Sequence, residues 1–376
     1  MAYDIPVGTN FAALQPEQRT AWAMELWKEV RNKSFVTKFL GTGSNAMIQR
    51  ITELNASHKG GNKAIMTLLA NADYTGVAGD NVLQGKEDVM TSYHLDIRFD
   101  QFRLAHANTG RMADQKSIIN FRKEAKDQLS YGMANIIDEL AFLTLSGVPY
   151  TLRSNGAARN VGSEIPLLEF ADDVTAPTSN RHLRWDAAGK RLLTGDTTAI
   201  KPADKITYAS LVELKAYLKD EGVRGIMEGG KEYFNVFVTP QAMAKLRLDP
   251  DYIANTRAAA AAIGNNSELF KGADDVTVDG LIVREYRHVF NTRGMAAGEK
   301  WGSAGDVEGA RVLICGAQAM GMVDLGAPNW VEKDYDYENR FGIAVNKMFG
   351  FRKSRFHSTY SGSVQDFSVV ALDVAI

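Results

Sequence analysis

Three things are scarce in this chain of 376 residues: cysteine, long apolar runs and an excess of either charge. Its one cysteine, Cys315, cannot form an internal disulfide and suits a reducing compartment. Cys315 sits in the apolar run ARVLICGAQ, which reads as a buried strand. A nucleophile there requires His and Asn or Asp partners that no motif supplies. No stretch of about 18 apolar residues occurs, so no membrane-spanning helix is expected. The opening MAYDIPVGTNFAALQPEQRT has neither the basic start nor the apolar core of a signal peptide. With 43 Lys and Arg against 45 Asp and Glu, the formal net charge is −2. No global field therefore draws the chain to nucleic acid or to an anionic membrane.

Catalytic signatures are scarce too. The six histidines, His58, His94, His106, His182, His288 and His357, are scattered, with no pair at i,i+4 and no HExxH, so no metal site is expected. Gly41-Thr42-Gly43-Ser44 lacks the Gly-Lys-Ser/Thr ending of a phosphate loop. Asp274, Asp275 and Asp279 fit no EF-hand, and turn chemistry accounts for Asp279. GxSxG is absent. The sequence predicts neither a catalytic residue nor a cofactor; a hydrolase using Cys315 is the remote alternative.

The strongest positive signal is the stretch 114–149, which predicts one long amphipathic helix. Apolar residues at Ile118, Phe121, Ala125, Leu129, Met133, Ile136, Leu140 and Leu143 fall in steps of three or four. Asp114 suits an N-cap, Gly147 a left-handed C′ position, and Pro149 ends the helix. About 32 helical residues would span roughly 48 Å, a spine rather than one helix of a bundle.

Around the spine the periods change. A short helix over 16–31, with Pro16 at its first turn, puts Trp22, Leu26 and Val30 on one face, a stripe that must dock on something. Over 93–99 apolar and polar residues alternate, the mark of a half-exposed antiparallel strand. Phe102 and Leu104 then slip in parity, which predicts a bulge or bend near Asp100-Gln101. Between Leu69 and Met90 the chain is rich in Gly, Asn and Asp and reads as the tip of a projecting β-hairpin, with Asp73 and Lys86 as candidate contacts to a neighbour. Residues 150–205 show no sustained period and read as a long loop or insertion. From residue 206 an α/β unit follows: a helix over 207–220, a buried strand over 233–238, helices over 240–248 and 250–263, and a hairpin turned at Asp279-Gly280. Strands over 311–324, 341–350 and 364–376 complete the chain.

Two charged clusters are candidate contact surfaces. Residues 332–338 (EKDYDYE) include Glu332, Asp334 and Asp336; they read as a solvated loop, as an intersubunit polar contact or, least favoured, as acid–base carboxylates. Residues 347–355 (KMFGFRKSR) interleave Phe349 and Phe351 with Arg352, Lys353 and Arg355. The three cations either face nucleic acid or pair with a neighbour's acidic cluster while the phenylalanines pack inward.

The order of these elements resembles the Hong Kong 97-type fold of tailed-bacteriophage major capsid proteins. The stretches RMADQKSIINFRKEAKDQLSYGMANIIDELAFLTLSG (111–147), KEYFNVFVTPQAMAKLRLDPDYIANTRAAA (231–260) and KGADDVTVDGLIVREYRHVF (271–290) are similar to the N-four-type podovirus capsid family. The resemblance implies an α+β chain with an N-terminal arm (1–45), an extended hairpin region (46–110), a peripheral domain with spine helix and insertion (111–205), an axial domain (206–330) and strands returning to the periphery (331–376). It also implies self-assembly into pentamers and hexamers of an icosahedral shell around double-stranded DNA held without sequence specificity. Its partners would be a portal and, in some relatives, scaffolding or decoration proteins, with assembly in the host cytoplasm. An encapsulin-like compartment shell is the alternative that shares the fold.

Overall fold

The computed structural model describes residues 16–52, 63–69, 76–87, 92–112, 121–255, 275–337, 339–358 and 362–376. The chain gathers into two compact units, each assembled from three separate stretches. The larger contains Phe39–Asp100, Asp138–Asp324 and Gly350–Ile376; the smaller contains Met1–Lys38, Gln101–Ile137 and Leu325–Phe349. Among the described residues no helix is long and apolar enough to cross a membrane.

The larger unit is built on an eight-stranded mixed sheet. Its path runs Asp275–Val278, Leu281–Glu285, Lys231–Val238, Gly309–Cys315, Val369–Ala375, His182–Asp186 and Arg191–Thr194, with Ile226–Glu228 beside Lys231–Val238. The central strands Gly309–Cys315 and Val369–Ala375 are buried at every residue, so both sheet faces are covered. One face carries Val236, Val238, Val312, Ile314, Val370, Leu372 and Val374 against the helices Tyr208–Asp220 and Pro240–Arg247. Each of these helices starts where the sequence provides a cap. Thr207 and Ser210 form a reciprocal capping box, and Thr239 accepts from the Ala242 amide with Pro240 in the first turn. The Asp279-Gly280 turn has φ of 45° and 79°, the left-handed pair that a tight hairpin requires.

Residues 150–205, expected as a loop, differ from that reading. His182–Asp186 and Arg191–Thr194 are strands paired antiparallel, and the first also pairs in parallel with Val369–Ala375. Each is too short, at five and four residues, to show a period. The expected helix over 250–263 is seen as helix from 250 to 255; its remainder lies outside the described residues.

The long helix is described as Phe121–Ser146, and its expected N-cap Asp114 lies outside the described residues. Its end matches the sequence: Gly147 has φ +67°, its amide donates to Thr144 and that of Val148 to Leu143, a Schellman closure. A Cβ at Gly147 would sit 2.4 Å from the Thr175 carbonyl oxygen, which fixes glycine there. The apolar stripe needs one correction. Ile136 is half-buried and Ile137 is 1% exposed, because from residue 137 to 146 every helical residue is buried and a one-sided stripe no longer exists.

In the smaller unit the first part of that helix lies beside Pro16–Lys33, whose Ala23, Leu26, Trp27 and Val30 are buried. Lys126 bridges Glu25 (3.1 Å) and Glu29 (2.9 Å), and its ammonium stands over the Trp22 ring. Burial alone would lower the Lys126 pKa; the bonds to the two glutamates outweigh it and raise it. Two long strands, Met320–Tyr335 and Arg340–Lys353, contribute their adjoining halves to this unit, next to Asp100–Ala107.

Candidate assembly surfaces

The projecting hairpin is present as an antiparallel pair, Lys63–Leu69 with Ser92–Arg98, in the register Lys63↔Arg98 to Leu69↔Ser92. Alternation sorts its side chains. Ala64, Met66, Leu68, Leu95 and Ile97 are buried on one face, whereas Ile65 and Thr67 stand in solvent on the other. The buried face is seated over Gly321, whose lack of a side chain admits Ile97; a Cβ there would meet Ile97 Cδ1 at 2.3 Å. Strand character stops at Phe99 and resumes at Asp100, because the chain leaves the two-stranded sheet there and enters a five-stranded one, which accounts for the change of parity. Beyond the paired strands, residues 76–87 are nearly all exposed and turn through Gly76, Gly79 and Gly85, all at positive φ. Val82 and Leu83 are 68% and 55% exposed at the heart of this segment, with Lys86 in solvent beside them. Asp73 lies outside the described residues.

The helical candidates separate. Leu26 is wholly buried within the smaller unit, so it is a core residue and not a contact surface. Trp22 is half-buried against Trp330, with ring centroids 5.7 Å apart.

The acidic cluster separates as well. Glu332 turns inward: Arg122 forks onto it from Nε (3.0 Å) and Nη2 (3.2 Å), and Trp330 Nε1 donates to it at 2.9 Å. A bidentate guanidinium pair of this kind is a structural clamp. Asp334 and Asp336 stay exposed at the end of the hairpin joining the two long strands. Asp336 and Tyr337 have φ of 51° and 48°, and Tyr337 is fully exposed.

The basic cluster corrects the expectation most plainly. Phe349 and Phe351 are buried, as inward packing required, but the three cations are answered inside their own unit. Lys353 is fully buried with its ammonium 2.8 Å from Asp366, itself fully buried. Arg355 reaches the same carboxylate at 3.0 Å and also donates to the Ala176 carbonyl. Arg352 donates to the Asp96 carbonyl and lies 4.0 Å from Asp173. Lys353 has no surface to offer, whereas Arg352 and Arg355 direct donors inward but keep 33% and 28% of their side chains exposed.

Two polar networks were not anticipated. On the sheet face opposite the two helices, Arg311 forks onto Asp373 (2.8 and 3.0 Å), His182 Nε2 lies 2.6 Å from the same carboxylate, and Arg311 Nη1 donates to the Ser146 carbonyl at the end of the long helix. Burial would raise the Asp373 pKa; Arg311 and His182 more than reverse this and hold it below the usual carboxylate range. The second network joins Ser154 Oγ to His288 Nδ1 (3.3 Å) while the Ser154 amide donates to Glu139, which pairs with Arg159 at 3.0 Å. The signal was available for the first: Arg311 and Asp373 each interrupt an apolar run that reads as covered on both faces, and such a charge requires a partner. Cys315 lies on the same strand as Arg311, and burial pushes its thiol up to about 12, the behaviour of an inert core residue. Among the described residues no three His, Cys, Asp or Glu side chains gather as a metal site.

The chain matches the family model described as phage capsid protein over residues 10–376. It is 50% identical over 370 residues to the major capsid protein of Pseudomonas phage KPP25, covering 98% of this chain and 97% of that one. Among solved structures it is similar to the capsid of Ralstonia phage GP4, with a TM-score of 0.71 at 22% identity, covering 91% of this chain and 90% of that one. It is also similar to the capsid asymmetric unit of cyanophage Pam1, with a TM-score of 0.69 at 16% identity over 91% and 92% of the two chains.

Proposed function

The chain belongs to the phage capsid protein family, with the α+β Hong Kong 97-type fold and the role of a structural shell protein of the virion, and from that premise we propose how it builds the shell. Copies join as pentamers and hexamers of an icosahedral shell enclosing double-stranded DNA, as in a short-tailed phage. The work asked of the chain is mechanical. Assembly proceeds in the host cytoplasm around a portal, with scaffolding or decoration proteins where the phage supplies them.

One observation carries the reading: residues 76–87 hold Val82 and Leu83 in solvent on a segment that buries little within its own chain. Covering two such side chains stabilises a contact by about 3–5 kcal/mol before ordering costs, so a neighbouring copy that covers them gains from doing so. Repeated around a closed axis, one heterologous contact of this kind makes a ring. The near-zero net charge fits a wall that contains DNA without gripping it, since dense phosphate contacts would resist both filling and emptying. The burial of Lys353 against Asp366 withdraws one cation of the basic run from any such contact.

Negative-stain microscopy of the expressed full chain tests this. Rings or closed particles are expected from the parent chain, and folded but poorly assembling protein from a chain lacking 76–87. A parent chain that stays monomeric at high concentration, or equally robust particles from the deletion, would refute the proposal.

A further inference from the structure

A second exposed element of the smaller unit carries both halves of a contact. Beside the hairpin tip formed by Tyr335, Asp336 and Tyr337 lies a cleft of about 400 Å³. Its apolar lining comes from Ala105, Ala107, Val331, Ile343 and Ala344, and its polar rim from His106, Lys333, Arg340 and one acid, Asp336. Ala105 and Ala107 are exposed, and Val331 is 47% exposed. Small side chains on the Asp100–Ala107 strand leave the hollow open, and Gly342 lets the Tyr335 ring lie across one wall, where a Cβ would meet that ring at 2.8 Å.

The tip itself is built for display. Tyr337 has φ +48° and is fully exposed, although a left-handed backbone costs an aromatic residue about 1 kcal/mol or more. An Asn339 amide donating to the Asp336 carbonyl (3.0 Å) and its side chain donating to the Asp336 carboxylate (3.2 Å) hold the turn in that shape. An aromatic side chain held wholly in solvent on a braced turn gains nothing within its own chain. Around it the tip is acidic, with Asp334 and Asp336 exposed; Asp336 also lines the cleft, where the cations Lys333 and Arg340 outnumber it. Knob and hollow thus match in apolarity, and the rim's two cations exceed its one carboxylate, leaving positive charge for an acidic tip; a single chain displays the two side by side.

We infer that the Tyr337 tip of one copy seats in the Ala105–Ala107–Ile343 cleft of the next, with the tip carboxylates facing the Lys333 and Arg340 rim. The occupant is a second copy of this chain, and the contact repeats around an axis because each copy gives a knob and receives one. An aromatic anchor in an apolar hollow with a charged rim is the arrangement that concentrates binding energy in one residue. This inference rests on the self-assembly proposed above and names one surface through which it acts.

Two singly substituted full-length chains, Tyr337→Cys and Ala107→Cys, test it when mixed, assembled and oxidised. Cys315, buried in the sheet, stays silent. A covalent dimer containing one chain of each kind is expected, and only a contact between copies can produce it. Alongside, Tyr337→Phe should assemble as the parent does, while Tyr337→Ala should lower particle yield about tenfold at an unchanged melting temperature. Intact particles whose two new thiols react with maleimide yet never cross-link would overturn the inference and leave self-assembly standing. So would a Tyr337→Ala chain with parental yield. A parent chain that forms no particles would instead overturn the self-assembly reading on which the inference stands.

Discussion

Two antiparallel pairs of seven-residue strands in this molecule share a geometry and differ in nearly everything else. In Gly309–Cys315 with Val369–Ala375 every residue is buried. In Lys63–Leu69 with Ser92–Arg98 burial alternates, and the ion pair Lys63–Asp96 stands in solvent at 3.6 Å with both side chains nearly half exposed. The backbone ladder is the same; the number of covered faces is not. Where both faces are covered, a charge exists only with a partner, as Arg311 does with Asp373. Where one face is open, charge is free to vary and the residues left over are available to another molecule. The long helix repeats the contrast within one element, one-sided up to Ile136 and covered all round from Ile137.

The most severe way to probe that contrast is at the helix step. Ile137→Asp removes a buried branched side chain and leaves a carboxylate without a partner, so a loss of about 4 kcal/mol or more is expected, enough to abolish soluble expression. Ile136→Asp, one residue away and half-buried, should cost about 1–2 kcal/mol and leave the fold intact. Denaturant midpoints of the two variants decide it; equal losses would mean that the burial boundary does not fall between these residues. Next in size is Asp373→Ala, which strands the Arg311 guanidinium and His182 on the covered face at an expected cost of about 3–5 kcal/mol. A loss below about 1 kcal/mol in urea unfolding would show that water reaches that face and that the two strand pairs are less different than their burial indicates.

Much of this was legible beforehand, and the reasons are local. The Gly147 closure and the Asp279-Gly280 turn each depend on a residue type at a fixed offset, and both stand where the sequence put them. The alternation over 93–99 needed no tertiary information either. What failed needed partners. The strands at 182–186 and 191–194 are strands because a long buried neighbour offers its edge, a fact absent from their own four or five residues. The basic run 347–355 looked unbalanced because its counterion, Asp366, is supplied from 11 or more residues away by the following hairpin. A period of two separates inside from outside, but it does not say which charges meet.

A smaller, pH-linked effect separates the covered region from the open one. His288 is buried against Arg287 and Arg159, with Glu139, Asp138, Tyr286 and Ser154 also around it. Burial, then the nearby guanidinium of Arg287, lowers its pKa below the ordinary 6.5, against a partial pull upward from Glu139 and Asp138. A histidine whose folded pKa is depressed stays neutral while its unfolded counterpart takes up a proton. Stability is therefore full above about pH 6.5 and falls as the pH drops through the window between the two values, with a slope of at most about 1.4 kcal/mol per pH unit. Melting followed from pH 7.5 to 5.5 should show this decline, and His288→Gln should flatten it. An unchanged slope in the variant would place the titration elsewhere.

The least effect belongs to the open hairpin, and its smallness is the point. Asp96→Asn removes the side-chain partner of Lys63 but keeps the carbonyl that receives Arg352, so only a solvent-screened ion pair is lost. Pairs of that exposure contribute about 0–1 kcal/mol, and less as salt is added. The isolated chain should therefore melt within about 0.5 kcal/mol of the parent in moderate salt. A loss above 1 kcal/mol that persists in 0.5 M salt would mean that the outer face of the hairpin is covered within its own chain. The exposed Val82 and Leu83 would then need a different explanation from contact with a neighbour, because a hairpin already covered at its base offers no open platform from which to reach one.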